Sequence, residues 1–231
     1  MFFLKRNSIE KDDITSGQYG WLMVGILVIS LTARLLIAQV PSLEFKYDIF
    51  MWKIWGYNAA EYDLINIYNK LPEVPPELAV DTANFQQDVA VNYLPPTINL
   101  LYRLEKIRRW LDWPITSLKF TVMLKLPAIA ADLITIWLIG HIVKERTKKY
   151  SAALLSASIY ALHPTIAFLS AGFGQVDSIY TLLLVLAVWQ LTKNKFLSSV
   201  AWLTAAYFFK MQTMAVFPLF IFIFLSQSSI W

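Results

Sequence analysis

The chain has 231 residues, 57% of them hydrophobic and only 16% charged, and a mean hydropathy of +0.50. Those values exclude disorder and sit far from a soluble domain, where about a quarter of residues are charged. Cysteine is absent, which excludes disulfides and thiolate metal sites, and the net charge of +4 suits basic cytoplasmic loops better than a nucleic-acid patch.

The first eighteen residues are polar and carry no signal-peptide core. The first apolar run, 19–40, is too long for such a core and reads as an uncleaved span of about 33 Å, ended by Pro41. Lys5, Arg6 and Lys11 precede it and favour a cytoplasmic N-terminus. Residues 41–117 hold no adequate apolar run. They carry ten acids against seven bases, a net of −3, and form a long external loop if the first span runs outward. Within it, 48–62 is aromatic and helix-compatible, with Trp52, Trp55 and Tyr57. Pro95 and Pro96 then open an amphipathic helix. Leu100, Leu104, Ile107 and Leu111 share one face, Arg103, Lys106 and Arg109 lie towards another, and Trp110 and Trp113 follow. That pattern predicts a helix lying in the membrane interface, with a short, poor span as the alternative.

A second span, 118–143, ends in Lys144, Arg146, Lys148 and Lys149, a cytoplasmic marker. A third, 151–170, is bent at His163-Pro164, and a fourth is 176–191. Residues 196–209 and 214–225 read as two short helices around Lys210 and Gln212, with one thirty-residue helix as the alternative. The expectation is one all-α membrane domain over 1–231: a polytopic bundle of about six transmembrane helices, with interfacial helices in the external loop 41–117. In this topology the Asp48 loop, the Gly172-Phe-Gly-Gln-Val-Asp-Ser loop and the Lys210 break converge on the external side.

Ionisable groups in or beside spans are costly and each needs a reason. Asp48, among aromatics where the chain leaves the bilayer, can serve as a partly dehydrated general base, or simply as a solvated acid or helix cap. Asp177 follows two glycines at a helix start, where backbone can approach a ligand, and is equally explained as a favourable N-terminal acid. Lys210, with Gln212, interrupts an apolar stretch and can bind a lipid phosphate or snorkel to the interface. Lys125 and Asp132 share a helix face, and Asp132 reads best as a structural partner of Lys125 or of a neighbour. Arg34 is ambiguous, and His163 at a bend reads as structural. No nucleotide-binding loop, zinc-protease helix, serine-hydrolase elbow, voltage-sensor arginine ladder or potassium filter occurs in the sequence.

Taken in order, these features resemble a known family. A first span is followed by an external Asp among aromatics, then Tyr93-Leu-Pro-Pro, where Leu94 is inserted into the more usual Tyr-Pro-Pro. Next come Ala131-Asp-Leu, a His-Pro bend, Gly174-Gln-Val-Asp-Ser and Lys210-Met-Gln. The set resembles the GT-C glycosyltransferases that use polyprenyl-phosphate sugars. It is nearest to bacterial mannosyltransferase-like members related to the second mannosyltransferase of GPI-anchor assembly, and the dolichyl-phosphate-glucose glucosyltransferases share the order.

The resemblance implies inverting transfer of a hexose, mannose in the first place, from a polyprenyl-phosphate sugar. The acceptor hydroxyl belongs to a glycan, lipid or protein at the outer membrane face. Asp48 matches the family's external catalytic acid. Lys210 would meet the leaving phosphate, with Gln212 beside it and Lys125 and Arg109 as weaker candidates. Gln175 and Asp177 would hold sugar hydroxyls or the acceptor, and Trp52 and Trp55 would stack on a sugar unless they anchor in the interface. The leaving phosphate ester departs as a stable anion, so the chemistry requires no metal or cofactor. The competing expectation is a transporter or flippase for a lipid-linked or anionic substrate. Relatives of this kind continue into further spans, so the chain is expected to be an N-terminal half, completed by a missing C-terminal half or a partner chain.

Overall fold

The computed structural model describes residues 14–79 and 90–228, with side chains up to residue 223. Among the described residues there are helices and turns but no strand. Helix α1 (Ser16–Ala38) opens on a capping box in which Thr15 Oγ1 accepts from the Gln18 N–H at 3.3 Å and Gln18 Oε1 accepts from the Thr15 N–H at 2.8 Å. A 3₁₀ turn at Pro41–Leu43 leads into α2 (Lys46–Tyr62). Helix α3 (Pro95–Trp110) starts on its two prolines, which need no amide partner in a first turn. Helix α4 (Leu118–Thr147) is capped by Ser117 and runs for 30 residues, about 45 Å. It stops where Lys148 turns left-handed, at φ 61°. Helix α5 (Tyr150–Leu162) breaks at His163, and α6 (Pro164–Ala167) passes into a π-helical segment, Phe168–Phe173. Then come α7 (Asp177–Thr192), α8 (Phe196–Phe209), a 3₁₀ segment Met211–Val216 and α9 (Phe217–Ser228).

Two described helices, α1 and α4, are long and apolar enough to cross a membrane, and a third crossing results if α5 and Pro164–Phe173 are one span bent by 54°. The other apolar helices fall short of a full span. Polar breaks at Gln175, at Lys193-Asn194 and at Lys210 cut this region into lengths below the roughly 20 residues a crossing takes. Of the about six spans expected, two to three are thus long and apolar enough to cross, and the other three apolar helices are too short by length alone. Exposed Val28, Ile29, Leu36, Ile134, Trp137, Leu155 and Ile159 give α1, α4 and α5 outward apolar faces, which suit lipid and not water. The basic N-terminal residues, Asp81, Asp88 and the chain end lie outside the described residues.

Helix α4 packs against α1, α5 and α7, and α7 against α8. Helices α2 and α3 pair separately and enclose a core of Trp52, Trp55, Ile98, Leu101, Phe120 and Leu124 with the start of α4. Their backbones approach closely at Gly56, where a Cβ would lie 3.1 Å from the Leu101 carbonyl oxygen. The buried face of α3 differs from the expected stripe. It consists of Thr97, Ile98, Leu101, Leu104 and Glu105, while Ile107 is exposed. The cause is an ion cluster: buried Glu105 receives hydrogen bonds from Arg108 at 2.7 and 2.8 Å and from Arg109 at 2.7 Å. A neutralised carboxylate thus takes a position that hydropathy alone assigns to the surface.

Between α1, α4 and α5 lies a second buried pair. Arg34 and Asp132, both 0% exposed, meet at 3.0 Å. Arg34 also donates to the Ala161 carbonyl at 3.1 Å and to Ser30, and the Tyr160 hydroxyl donates to Asp132 at 3.2 Å. Asp132 therefore pairs with Arg34 and not with Lys125. The arginine also satisfies a carbonyl in the last turn of α5, where the His163 break removes the helical donor.

Candidate functional site

A polar cluster forms where four segments meet: the start of α2, the turn before α7, the α8–α9 break and the approach to α3. Its geometry begins at Gly174, which is left-handed at φ +77°. A Cβ on Gly174 would stand 2.8 Å from Cγ of Lys125 and 3.3 Å from Cδ1 of Ile49, so this turn demands glycine on both conformational and steric grounds. The turn swings Gln175 towards α2, where its side-chain amide donates to Asp48 Oδ2 at 3.1 Å. Two residues on, Asp177 starts α7. Its carboxylate forms an ion pair with Lys210. Lys210 is presented by the extended residue that ends α8, and its ammonium stands 5.6 Å from the centroid of the Tyr180 ring.

Asp48 and Asp177 both occupy first turns, where the helix dipole favours a carboxylate. That accounts for an acid at each place but not for the convergence of Gln175 and Lys210 upon them. Burial pushes the Asp48 carboxyl above the usual aspartate range, and the negative charge of Asp177 adds to this; the Gln175 hydrogen bond and the Lys210 charge oppose it. Beside them, burial and the charges of Asp48 and Asp177 push the Tyr93 phenol up to about 12, so it stays a hydrogen-bond donor at neutral pH. Tyr93 also packs against Trp55, with ring centroids 5.6 Å apart. A cavity of about 510 Å³ opens here, lined by Asn92, Tyr93, Leu94, Phe209, Lys210, Met211 and Gln212. That is within the size range of small-molecule sites.

Four of the candidates, Asp48, Gln175, Asp177 and Lys210, thus come together, and Gln212 lines the adjoining cavity. Three do not join them. Lys125 is 0% exposed and donates to the Ala38 carbonyl and to Glu44, each at 3.1 Å. It ties the end of α1 to α4 while its stem lies under Gly174. Trp52 is 2% exposed within the α2–α3 core, with no face left for a sugar. Arg109 pairs with Glu105 and Glu61 and stands over the Tyr57 ring. Tyr93 is the site residue that sequence reasoning did not single out. Its signal lay in Tyr93-Leu-Pro-Pro, which carried part of the family resemblance without giving the tyrosine a role of its own. Among the described residues no three His, Asp or Glu side chains are grouped to hold a metal ion.

Fold and site together define a class: an all-helical protein with apolar helices of membrane-crossing length and a polar cluster at one end of the bundle. Compared with protein-family models, with curated proteins and with solved structures, the chain matches none.

Proposed function

We propose that the chain is a multi-pass membrane glycosyltransferase module that moves a hexose from a polyprenyl-phosphate sugar to an acceptor hydroxyl. The observation that carries this reading is the meeting of Asp48, Gln175, Asp177 and Lys210, drawn from positions up to 162 residues apart in the chain. Asp48 takes the proton of the acceptor hydroxyl as its oxygen attacks the anomeric carbon from the face opposite the phosphate. The bond from that carbon to the phosphate oxygen breaks, the configuration inverts, and the polyprenyl phosphate leaves with the bonding pair. Lys210 is the cation for the charge that develops on the leaving phosphate, exchanging Asp177 for it. Asp177 is then free to accept from a sugar hydroxyl, and Gln212 and Tyr93 supply donors in the cavity.

In this reading α7, α8 and α9 supplement the two to three long spans as short crossings, and the cluster faces the external side. The test is sugar transfer in membranes carrying the wild-type chain or Asp48→Asn. Transfer lost in the variant, with the protein still inserted, supports the base. Transfer unchanged in the variant overturns it. Lys210→Ala should weaken donor binding, and a donor affinity equal to wild type removes its phosphate role. Movement of labelled lipid between leaflets without glycosidic bond formation would favour a transporter instead.

A further inference from the structure

At the far end of α7, one helix length or about 24 Å from Asp177, lies a second polar concavity of about 460 Å³. His141, Lys144, Glu145, Lys148, Tyr150 and Lys193 line it. It is built from the last two turns of α4 and the residue that caps them, the first residue of α5 and the residue that follows α7. Its three lysines face one carboxylate, and that one is already engaged. Glu145 accepts from the Trp189 indole at 3.1 Å and pairs with Lys193 at 3.1 Å. Among the described residues neither Lys144 nor Lys148 has a carboxylate partner.

The lysines are not an ordinary solvated fringe, because aromatic rings fix two of them. The Lys144 ammonium lies 4.9 Å from the Tyr19 centroid and 4.8 Å from that of Tyr150. Lys193 lies 3.9 Å from Trp189. His141 stacks on Trp137 and meets Trp189 edge-on. Holding like charges around one concavity is unfavourable unless an anion shares it. The amino end of α5, the positive pole of a 13-residue helix, opens at Tyr150 on the same place. Basic and aromatic side chains at the end of a long apolar helix also match the layer where lipid headgroups lie.

We propose that this concavity is a binding site for a phosphate-bearing anion, with an anionic phospholipid headgroup as its natural source. The site is separate from the Asp48 cluster and does not depend on sugar transfer. The 231-residue chain, purified in detergent, is exposed to equal amounts of phosphatidylglycerol and phosphatidylcholine, and retained lipid is read by native mass spectrometry. Phosphatidylglycerol should be preferred. Lys148→Gln, an exposed side chain with no ion pair to lose, should reduce that preference about fivefold, the worth of one basic residue near a lipid surface. Lys148→Arg should keep it, and Lys149→Gln, next in the chain but outside the lining, should leave it unchanged. Inorganic phosphate that raises the melting temperature of wild type but not of Lys148→Gln, with no lipid preference, would assign the same chemistry to a soluble phosphate. Equal retention of the two lipids with no effect of phosphate overturns the site. A Lys149→Gln loss as large as that of Lys148→Gln also overturns it, because diffuse surface charge would then suffice.

Discussion

Asp48 is held between opposed influences, and each can be removed separately. Burial and Asp177 favour its neutral form, whereas Gln175 and Lys210 favour its anion. In the proposed role of general base Asp48 must be ionised before it accepts a proton, so the acid limb of kcat/KM should follow its carboxyl and lie above the ordinary aspartate value. Gln175→Leu removes a donor to the anion and Lys210→Met removes a cation, so both should move that limb to higher pH. Asp177→Asn removes a repelling charge and leaves Lys210 unpaired, so it should move the limb to lower pH. A pH–rate profile of each variant checks all three directions, and three shifts of one sign would exclude Asp48 as the group observed. Asp48→Asn itself should lower transfer by about 100- to 10,000-fold, the usual worth of a positioned base. Circular dichroism should stay unchanged, since the Asn side chain can still accept from Gln175.

At the level of elements, the breaks were the most legible features of the sequence. Proline at 41, 95, 96 and 164 and the polar Lys210 mark helix starts and stops that recur in the structure, and α8 spans the very residues 196–209 read from hydropathy. Which face of a helix is buried was less legible, because it depends on partners remote in sequence. Glu105 enters the core only because Arg108 and Arg109 neutralise it. Lys125 finds Glu44 across 81 positions, and Arg34 finds Asp132 across 98. Such pairs can be tested through stability. Arg34→Leu leaves the Asp132 carboxylate buried without its partner and should cost about 3 kcal/mol, with Arg34→Leu/Asp132→Leu recovering most of the loss. Denaturant unfolding in detergent measures both. The Gly174 turn predicts a contrast by the same assay. Gly174→Ala should destabilise by more than about 1 kcal/mol, given its left-handed backbone and the Lys125 stem against it. Gly25→Ala lies in a helix with open space around it and should be neutral or stabilising.

For the whole molecule, contacts between helix ends constrain which helices can cross a membrane and in which direction. The end of α7 is fastened beside the end of α4: Arg146 donates to the Thr192 carbonyl at 3.0 Å, and Lys193 pairs with Glu145. The start of α7 is fastened beside the start of α2 through Gln175 and Asp48. If α4 and α7 cross a membrane, residues 148 and 194 share one side of it, whatever the length of α7. The turn at residue 69 follows α2 and belongs with the opposite end of the bundle. Hydropathy and loop charge allowed this alternation, but the 16-residue α7 is too short to establish it by length, because about 24 Å of helix falls below the hydrocarbon thickness. A short helix can still cross where the bilayer thins or flanking lysines snorkel, and Lys193 and Lys195 stand where such flanking residues would be. Because the chain has no cysteine, single substitutions report accessibility without background. Asn69→Cys should react with a membrane-impermeant maleimide added to intact cells. Lys148→Cys and Asn194→Cys should react only after permeabilisation, and should do so alike. Labelling of all three from outside would mean that α7 and α4 do not cross, and the Asp48 cluster could not then lie on a side of its own. Labelling of residue 194 together with residue 69, apart from 148, would instead contradict the packing of α7 along α4.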